Sequence, residues 1–503
     1  MASDSDPRLT RLANSVLQPG FVGTTAPDWV RRRIADGLAS VVLFGRNIES
    51  AEQVAALTAS LRAENPDLIV AIDEEAGDVT RIGARTGASW PGNLALGAID
   101  DTDLTEQVAR DIGHQLRAIG VSLDFAPSAD VNSNAMNPVI GVRSFGALTD
   151  VVARHTAAWI RGLQSAGVAA CAKHFPGHGD TDVDSHHGLP RFTADAEEIV
   201  RTALPPFTSA MDAGVRAVMT AHMLVPAYDE ELPATLSGPV VNGLLRDRLG
   251  FTGLVVTDGI EMSAVSGPYG IGGATVRAVA AGVDAVCVGG ESAEESTTVD
   301  LADALVRAVL EGTLPEERLA EAAARVSEFA TWSSGLARAA EPEAKPSDIG
   351  LVAARRAVRV HRGGTGAALP LAADPHVVEL SPTMSLAVDG ATPWGVGEPL
   401  RALRPGTTSV RLSEAELRDQ DDLLDRLALA PATGRDLVVV VRDAARHPWM
   451  SEALAGLVRR RPDAFVVEMG VPAGEQIGAV HLTTYGATRV SGIAVAEVLV
   501  GTV

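Results

Sequence analysis

Short apolar runs alternate with longer amphipathic stretches over roughly residues 20 to 335. Eight runs have the length and composition of strands, and they cover residues 20–23, 40–44, 68–73, 122–127, 169–175, 217–222, 254–258 and 284–290. Between them lie stretches with a helical period, such as residues 105–120, 149–167 and 194–214. This repeat of strand and crossover helix predicts an N-terminal (β/α)8 TIM-type barrel. A doubly wound parallel sheet is the alternative, because the pattern does not show whether the sheet closes.

A second, shorter alternation follows in the C-terminal part of the chain. Residues 336–350 are rich in Ala, Glu and Pro and lack an apolar period, which predicts a linker. Apolar runs at 376–380, 408–412, 437–441, 465–469 and 479–482 then alternate with helix-like stretches at 414–429, 451–460 and 491–499. We therefore predict a barrel domain at 1–335, a linker at 336–350 and a smaller α/β domain at 351–503. The second domain carries no catalytic motif, which favours a stabilising or dimerising module, and the oligomeric state is not indicated.

Composition narrows the class of protein. The chain has 503 residues, of which 46% are hydrophobic and 21% charged, so it can build a large core. A net charge of -22 argues against a nucleic-acid partner, because phosphate binding needs clustered Lys and Arg. No run is apolar enough for a membrane span, and the first twenty residues show no secretory signal, so we expect a cytoplasmic protein. Cys171 and Cys287 lie in strand-like runs and are expected to be reduced core residues.

The eighteen residues from Lys173 to Pro190 hold most of the candidate chemistry. They follow an apolar run and contain four histidines and three aspartates in a loop punctuated by Gly and Pro. Buried charges without partners are costly, so packing alone does not explain this density of titratable groups. Polar residues on a loop at the end of an apolar strand are typical of an active site.

Four interpretations of this loop compete. A solvated surface loop is disfavoured, because Lys173 leaves directly from an apolar strand. A calcium loop counted from Asp180 would need Gly and Glu where Ser185 and Arg191 stand, so calcium is rejected. A transition metal is an open alternative, with its ligands at His178, His186 and His187. The last is an acid–base pair of Asp184 and His186, in which the carboxylate fixes the imidazole tautomer and raises its pKa.

Several separate motifs resemble one known family. Lys173-His-Phe-Pro-Gly-His-Gly179, followed by Asp184-Ser-His186, is similar to the signature of glycoside hydrolase family 3 β-N-acetylglucosaminidases of the two-domain bacterial type. Further segments match the same family in the same order, at 72–81, 137–146, 233–237 and 249–258. Together these motifs cover roughly residues 20 to 335, and several in order are more specific than any one alone.

The resemblance implies a fold and a mechanism. The fold is a (β/α)8 barrel followed by an α/β sandwich domain. The activity is that of a retaining, exo-acting enzyme that removes terminal N-acetylglucosamine, with Asp258 as nucleophile and His186 as acid–base residue oriented by Asp184. From position alone, an N-cap of the following helix is an equal alternative for Asp258. The implied substrate-binding residues are Asp73, Arg81, Arg143, Lys173, His174, His222 and Met262. For the two arginines a structural salt bridge is the alternative, and for Arg81 it weighs nearly as much.

The implied site agrees with the predicted barrel. Its residues fall at the C-terminal ends of predicted strands, where barrel enzymes carry their catalytic groups. Neither a metal nor a cofactor is expected. The sequence departs from the family pattern at Ala76, where Gly is usual, at Asp78, where Arg is usual, and at Gly259, where a second Asp is frequent. We expect Asp78 to make the edge of the site more acidic.

The substrate is expected to be a small carbohydrate. Three Tyr and six Trp are few for a long polysaccharide cleft, which favours a pocket for one terminal sugar of muropeptide or chitin fragments. Together with the expected cytoplasmic location, this indicates peptidoglycan recycling. A phosphorylase that uses phosphate instead of water is an alternative activity. A catalytically inactive sugar-binding protein is an alternative from a different class, and a metal-dependent hydrolase is a further alternative among enzymes.

Overall fold

The computed structural model describes residues 6–184, 188–340, 347–363, 368–385, 387–420 and 422–502. Contacts within the chain divide it into two units. Unit 1 comprises Met1–Glu74, Thr105–Ile140 and Ala147–Pro346, and unit 2 comprises Glu75–Leu104, Gly141–Gly146 and Ser347–Val503. Two short segments of the predicted barrel domain therefore belong, by their contacts, with the C-terminal part of the chain.

Unit 1 is built on parallel strands. Its strands are β1 (Leu17–Pro19), β2 (Ser40–Leu43), β3 (Ile69–Ile72), β4 (Leu123–Asp124), β5 (Ala169–Phe175), β6 (Ala217–Thr220), β7 (Leu224–Val225), β8 (Asp229–Pro233), β9 (Leu254–Thr257) and β10 (Val286–Val288). Six of them form one parallel sheet in the order β2-β3-β4-β5-β6-β9, and β1 pairs with β10, also in parallel. The strands β7 and β8 form an antiparallel pair.

The two parallel sheets of unit 1 adjoin each other. Val256 of β9 forms a parallel bridge to Ala285, just before β10. On the other side, the Ser40 hydroxyl at the start of β2 donates to the Leu17 carbonyl of β1. Unit 1 is thus an α/β fold with a curled parallel sheet, which confirms the predicted fold class at this level.

The first predicted strand was wrong in position. The structure places β1 at Leu17–Pro19 rather than at residues 20–23. Leu17 pairs with Val286 and Pro19 with Val288, whereas Val22 is 59% exposed. The polar Gln18 and the proline hide this strand from a search for apolar runs.

Helices alternate with the strands of unit 1. They are α1 (Pro7–Ser15), α2 (Asp28–Ala35), α3 (Ala51–Arg62), α5 (Thr102–Ala118), α6 (Thr149–Ser165), α7 (Ala196–Thr202), α8 (Pro205–Asp212), α9 (Ser263–Ala281), α10 (Glu295–Leu310) and α11 (Glu316–Ala339), numbered in chain order over both units. The single helix predicted at 194–214 is two helices. Pro205 and Pro206 lack backbone donors and open the second helix, which ends the first.

The core of unit 1 follows the two-residue period of its strands. Residues two apart on successive strands face the same way and form one buried cluster, to which α11 contributes. Its members are Val42, Ile69, Ala71, Leu123, Phe125, Ala169, Cys171, Ala217, Met219, Leu254, Val256, Ala285, Cys287, Val326, Phe329 and Ala330. Both cysteines are buried and unpaired by disulfides, as predicted.

Unit 2 contains a second six-stranded sheet. Its strands are β11 (Arg359–Arg362), β12 (His376–Ser381), β13 (Thr408–Ser413), β14 (Leu437–Val441), β15 (Phe465–Glu468) and β16 (Val480–Thr483), in the order β11-β16-β15-β14-β12-β13. All neighbours are parallel except β11, which pairs antiparallel with β16. The exposed, Arg-rich β11 was not predicted, because it lacks an apolar run.

Unit 2 also contains α-helices. They are α4 (Asn93–Ile99), α12 (Ile349–Ala357), α13 (Gly397–Leu403), α14 (Glu414–Asp419), α15 (Pro448–Arg460) and α16 (Arg489–Val500). Alternate strand residues pack against α15 on one face and against α13 and α16 on the other. The helix predicted at 414–429 is instead α14 and a separate turn of π-helix at Asp425–Leu429.

Regular structure extends into the predicted linker from both sides. The helix α11 ends at Ala339 and α12 begins at Ile349, while residues 341–346 lie outside the described part of the chain. Among the described helices, none is long and apolar enough to cross a membrane.

Candidate active site

The predicted site residues of unit 1 lie at the carboxyl ends of its parallel strands. Asp73 directly follows β3 and Asp258 directly follows β9, while Lys173 and His174 are among the last three residues of β5. His222 lies two residues beyond β6. Carboxyl ends of neighbouring parallel strands meet at one edge of a sheet, so the local pattern brings these side chains to the same end of unit 1.

The buried Lys173 and the partly exposed Asp73 form an ion pair at this end. The ammonium of Lys173 donates to Oδ1 of Asp73, and the Lys173 side chain is only 2% exposed. Burying an ammonium is costly unless a carboxylate pairs with it, so Asp73 is what makes this lysine possible in an apolar strand. The charges of Lys173, Asp73 and Asp258 all act on the buried thiol of Cys171, which places the three groups in one neighbourhood.

His174 is held by an aspartate that the sequence reasoning missed. Oδ2 of Asp130 lies 2.7 Å from Nδ1 of His174 and accepts from the Ser128 hydroxyl at 2.9 Å. Oδ1 accepts from the backbone N–H of His174 at 3.2 Å and of His178 at 2.7 Å. Burial alone would raise the pKa of Asp130, but the charge and hydrogen bonds of the histidines outweigh it and lower that pKa. An ionised Asp130 therefore fixes the ring of His174, with Nδ1 as the donor.

A signal for Asp130 was present in the sequence. The residue lies three positions beyond the apolar run at 122–127, at the same end of the unit as the other site residues. The family motifs do not include this position, so Asp130 was not predicted as a site residue.

His222 contacts the backbone of the turn that follows Asp258, the candidate nucleophile. Its Nε2 lies 3.0 Å from the carbonyl oxygen of Gly259, the residue after Asp258, and its Nδ1 lies 2.8 Å from the Thr235 hydroxyl. Oδ1 of Asp258 accepts from the N–H of Gly259 at 2.8 Å. With both ring nitrogens at hydrogen-bond distance from protein atoms, His222 fixes the turn that presents Asp258. Its predicted role in binding substrate stays a prediction.

Met262 and Glu261 follow on the same turn. Met262 is buried at the N-cap position of α9, and its N–H donates to the Gly259 carbonyl at 3.0 Å. Oε1 of Glu261 accepts from the N–H groups of Gly289 at 2.9 Å and Gly290 at 2.5 Å. Burial raises the pKa of Glu261 in spite of these bonds. Glu261 was not predicted, because no family motif includes it.

A further unpredicted carboxyl group lies beneath this end of the sheet. Asp124 of β4 is fully buried, and its Oδ1 accepts from the N–H of Glu74 at 2.9 Å. Burial raises the pKa of Asp124 well above its usual range.

The loop that carries the predicted acid–base residue is described only in part. Asp184 is half-buried, and its carbonyl accepts from the N–H of Gly188 at 3.1 Å. His186 and His187 lie outside the described residues, so the predicted Asp184–His186 pair stays a prediction. Nδ1 of His178, one ligand of the alternative metal site, lies 2.7 Å from the Thr181 hydroxyl. Over the described ranges, no group of three or more His, Cys, Asp or Glu is arranged to hold a metal ion.

The two predicted arginines belong to unit 2. Arg143 is buried, and its guanidinium binds the carboxylate of Glu75 through Nη2 at 2.7 Å and Nε at 2.9 Å. Nη1 of Arg81 donates to the Ala387 carbonyl at 3.1 Å. Glu75 lies in the 72–81 motif but was given no role. In the structure it orients the Arg143 guanidinium through a two-point contact.

The segment between Glu75 and Arg81 contains two of the departures from the family pattern, at Ala76 and Asp78. Ala76 has φ +58°, in the left-handed region where Gly is at ease, so an alanine is strained where the family usually has Gly. The structure contradicts the expectation that Asp78 makes the edge of the site more acidic, because the positive charge of Arg442 offsets the charge of Asp78. Asp78 is buried and ion-paired with Arg442, and its carboxylate accepts from the N–H of Ala487 at 2.9 Å. Burial raises the pKa of Asp78, and Arg442 opposes that shift.

Comparisons with known proteins identify the family. The model of the glycosyl hydrolase family 3 N-terminal domain matches residues 23–329. The chain belongs to glycosyl hydrolase family 3. The family predicted from the motifs, and with it the class of glycoside hydrolase, is confirmed.

Individual relatives agree with this assignment. Beta-hexosaminidase A of Pseudoalteromonas piscicida is 34% identical over an alignment 390 positions long, which covers 71% of this chain and 64% of that protein. The chain thus spans somewhat less than two thirds of that relative's length. The beta-hexosaminidase of Nitrosomonas eutropha is 36% identical over 55% of this chain and 82% of its own length. Among solved structures, a family 3 beta-N-acetylglucosaminidase from Paenibacillus sp. str. FPU-7 is 33% identical, covers 98% of this chain and 97% of its own, and has a TM-score of 0.87.

Proposed function

We propose that the protein is a retaining, exo-acting β-N-acetylglucosaminidase that removes terminal N-acetylglucosamine from muropeptide or chitin fragments. The observation that carries this proposal is the near full-length match to a family 3 β-N-acetylglucosaminidase structure, over both units of the chain. The relatives named hexosaminidases support the same sugar class. The predicted cytoplasmic location and the role in peptidoglycan recycling stay predictions.

The fold proposed for unit 1 is a closed (β/α)8 barrel. Its support is the contact of β9 with the strand pair β10–β1 and the contact of β1 with β2, which link the two ends of the six-stranded sheet. Closure would bring Asp73, Lys173, His222 and Asp258 around one central opening, since all four lie at the carboxyl ends of its strands.

In the proposed first step, a carboxylate oxygen of Asp258 attacks the anomeric carbon of the terminal sugar. The bond between that carbon and the leaving oxygen breaks, and His186 gives its proton to the leaving oxygen. Asp258 is suited to this role because its turn is fixed by His222 and by the N–H of Gly259. Asp184 would hold the His186 ring in the correct orientation.

In the second step, His186 takes a proton from water, and the water oxygen displaces Asp258 from the anomeric carbon. Two displacements return the sugar in its original configuration. Asp73 would accept hydrogen bonds from sugar hydroxyls, and Lys173 would donate to them. His174 would accept a hydrogen bond from a sugar hydroxyl at Nε2, because its Nδ1 carries the proton that it shares with Asp130. Arg81 and Arg143 complete the proposed set of substrate-binding residues, together with Met262.

The test uses an aryl β-N-acetylglucosaminide in buffers with and without phosphate. We expect N-acetylglucosamine as the product in both buffers, and N-acetylglucosamine 1-phosphate would indicate the phosphorylase instead. A 2-fluoro analogue of the substrate should label Asp258, as read by mass spectrometry of the peptides. Asp258→Asn should abolish turnover and labelling, whereas the exposed control Asp212→Asn should not. A label on another carboxylate would refute the assignment.

A further inference from the structure

The short segment from Glu75 to Arg81 is held by a charge pair far apart in sequence. Asp78 lies at the centre of this segment, and Arg442 directly follows β14, 364 residues later. The side chains are only 1% and 6% exposed, respectively. The Asp78 carboxylate also accepts from the backbone N–H of Ala487, and the Trp394 ring lies 5.6 Å from the Arg442 guanidinium. The carboxylate is thereby fixed from two elements of the C-terminal part of the chain.

Movement of Asp78 would be passed on to its neighbours in the segment. The N–H of Glu75 donates to the Val79 carbonyl at 3.1 Å, so the backbone closes a turn around Asp78. The Glu75 side chain in turn sets the Arg143 guanidinium through its two-point contact. Arg81 follows three residues after Asp78 on the same segment.

A buried ion pair is weak evidence for net stability, and its better-attested effect is to favour one arrangement of the elements that it joins. Two charges taken out of water recover their desolvation cost only in a good geometry, so a buried ion pair selects one arrangement of the elements it joins. Removing one partner leaves the other buried and uncompensated, and the segment then shifts to reach water or another partner.

We propose that Asp78 and Arg442 are positioning residues that hold Arg81 and, through Glu75, Arg143 in the arrangement that binds substrate. The inference rests on the proposed function and assigns the C-terminal part of the chain a role in substrate binding. Neither residue touches the substrate in this proposal, and each acts only through the segment that it fixes.

The experiment compares Asp78→Asn, Arg442→Met and the double variant Asp78→Asn/Arg442→Met in the full chain. Asp78→Asn keeps the shape and the acceptor for Ala487 but removes the charge. The matched control is Arg461→Met, which removes an arginine of the same unit that binds Asp463 and the carbonyls of Ala432 and Arg435. Arg461 precedes β15 and thus lies at the amino end of its strand, whereas Arg442 lies at the carboxyl end of β14. Arg461 makes no described contact with the 75–81 segment. Each protein is assayed for kcat and KM on the aryl N-acetylglucosaminide and for its melting temperature.

Displacing the binding groups weakens the binding of the substrate and of the transition state equally, so KM should rise while kcat changes little. In both single variants we expect a KM at least fivefold higher than that of the parent and a kcat within about twofold of it. The KM of the double variant should be no higher than that of the more strongly affected single variant. The control should keep its KM even where its melting temperature falls by a similar amount. Single variants with unchanged KM, or a control with an equal rise in KM, would overturn the inference and leave the proposed function intact. A parent protein without turnover of this substrate would overturn the proposed function, and the inference with it.

Discussion

Replacing Asp130 by Asn tests how the buried carboxylate organises His174. The substitution preserves the shape and the acceptor at Oδ1, which serves the N–H groups of His174 and His178. At the position of Oδ2 it places an NH2 group, which cannot accept from Nδ1 of His174 or from the Ser128 hydroxyl. The variant thus loses one charge and two accepted hydrogen bonds.

The size of the effect follows from these two contacts. A hydrogen bond to a charged group contributes about 1.5–3 kcal/mol, so two of them amount to roughly 3–6 kcal/mol. Relief from burying the charge offsets a part, and we expect a loss of about 3 kcal/mol in the free energy of unfolding. In a unit of this size that corresponds to a melting temperature lower by about 6 °C.

The same change alters the chemistry of His174. An NH2 group facing Nδ1 favours the ring tautomer with its proton on Nε2, the reverse of the parent. We expect kcat/KM on the aryl N-acetylglucosaminide to fall about 10²-fold, or about 2.7 kcal/mol of transition-state stabilisation.

The assay combines denaturant unfolding with steady-state kinetics, and Ser128→Ala is the control. That variant removes one of the two hydrogen bonds to Oδ2 but keeps the carboxylate and the tautomer, so it should lose about 1.5–3 kcal/mol of stability and little activity. Since the pKa of Asp130 is lowered in the folded protein, its charge stabilises the fold at neutral pH, and this contribution is lost as pH falls through the lowered value. The stability difference between parent and Asp130→Asn should therefore shrink in strong acid. An Asp130→Asn protein with unchanged stability and kinetics would refute this account.

Three further predictions concern other groups. Asp184→Ala should slow turnover strongly on substrates with poor leaving groups and much less on those with good ones, because only the former need protonation; equal losses, measured as kcat/KM over a series of aryl glycosides, would contradict an acid–base role. Burial raises the pKa of Glu468 to about 7, so its contribution to stability is present below the ordinary value near 4.5 and is lost as pH rises through 7. Between pH 4.5 and 8, the free energy of unfolding of Glu468→Gln, measured with denaturant, should therefore rise relative to that of the parent by up to about 3 kcal/mol. The control Glu475→Gln, at an exposed position, should show no such trend. Ala76→Gly should raise the free energy of unfolding by up to about 1 kcal/mol, because glycine adopts the left-handed conformation without strain. A destabilised variant would show instead that the packing of the alanine methyl group outweighs the backbone strain.

Much of the fold could be predicted from the local pattern of the sequence. The strands at β5, β9 and β14 are buried on both faces and therefore appear as continuous apolar runs. Lys173 and Asp258 are polar residues at the ends of such runs, so they were found from the same pattern and from the motifs. The elements that escaped prediction lack this signal: β1 contains a glutamine and a proline, and β11 is exposed and basic.

The tertiary structure alone decided which partners these groups have. His174 is paired with an aspartate 44 residues earlier, and Asp78 with an arginine 364 residues later, although nothing in either local sequence names the other. The segments Glu75–Leu104 and Gly141–Gly146 likewise belong by contact with the C-terminal unit, against the order of the chain. The physical reason is that periodicity is set by neighbours along the chain, whereas a buried charge takes its partner from whatever the folded chain brings within hydrogen-bond distance.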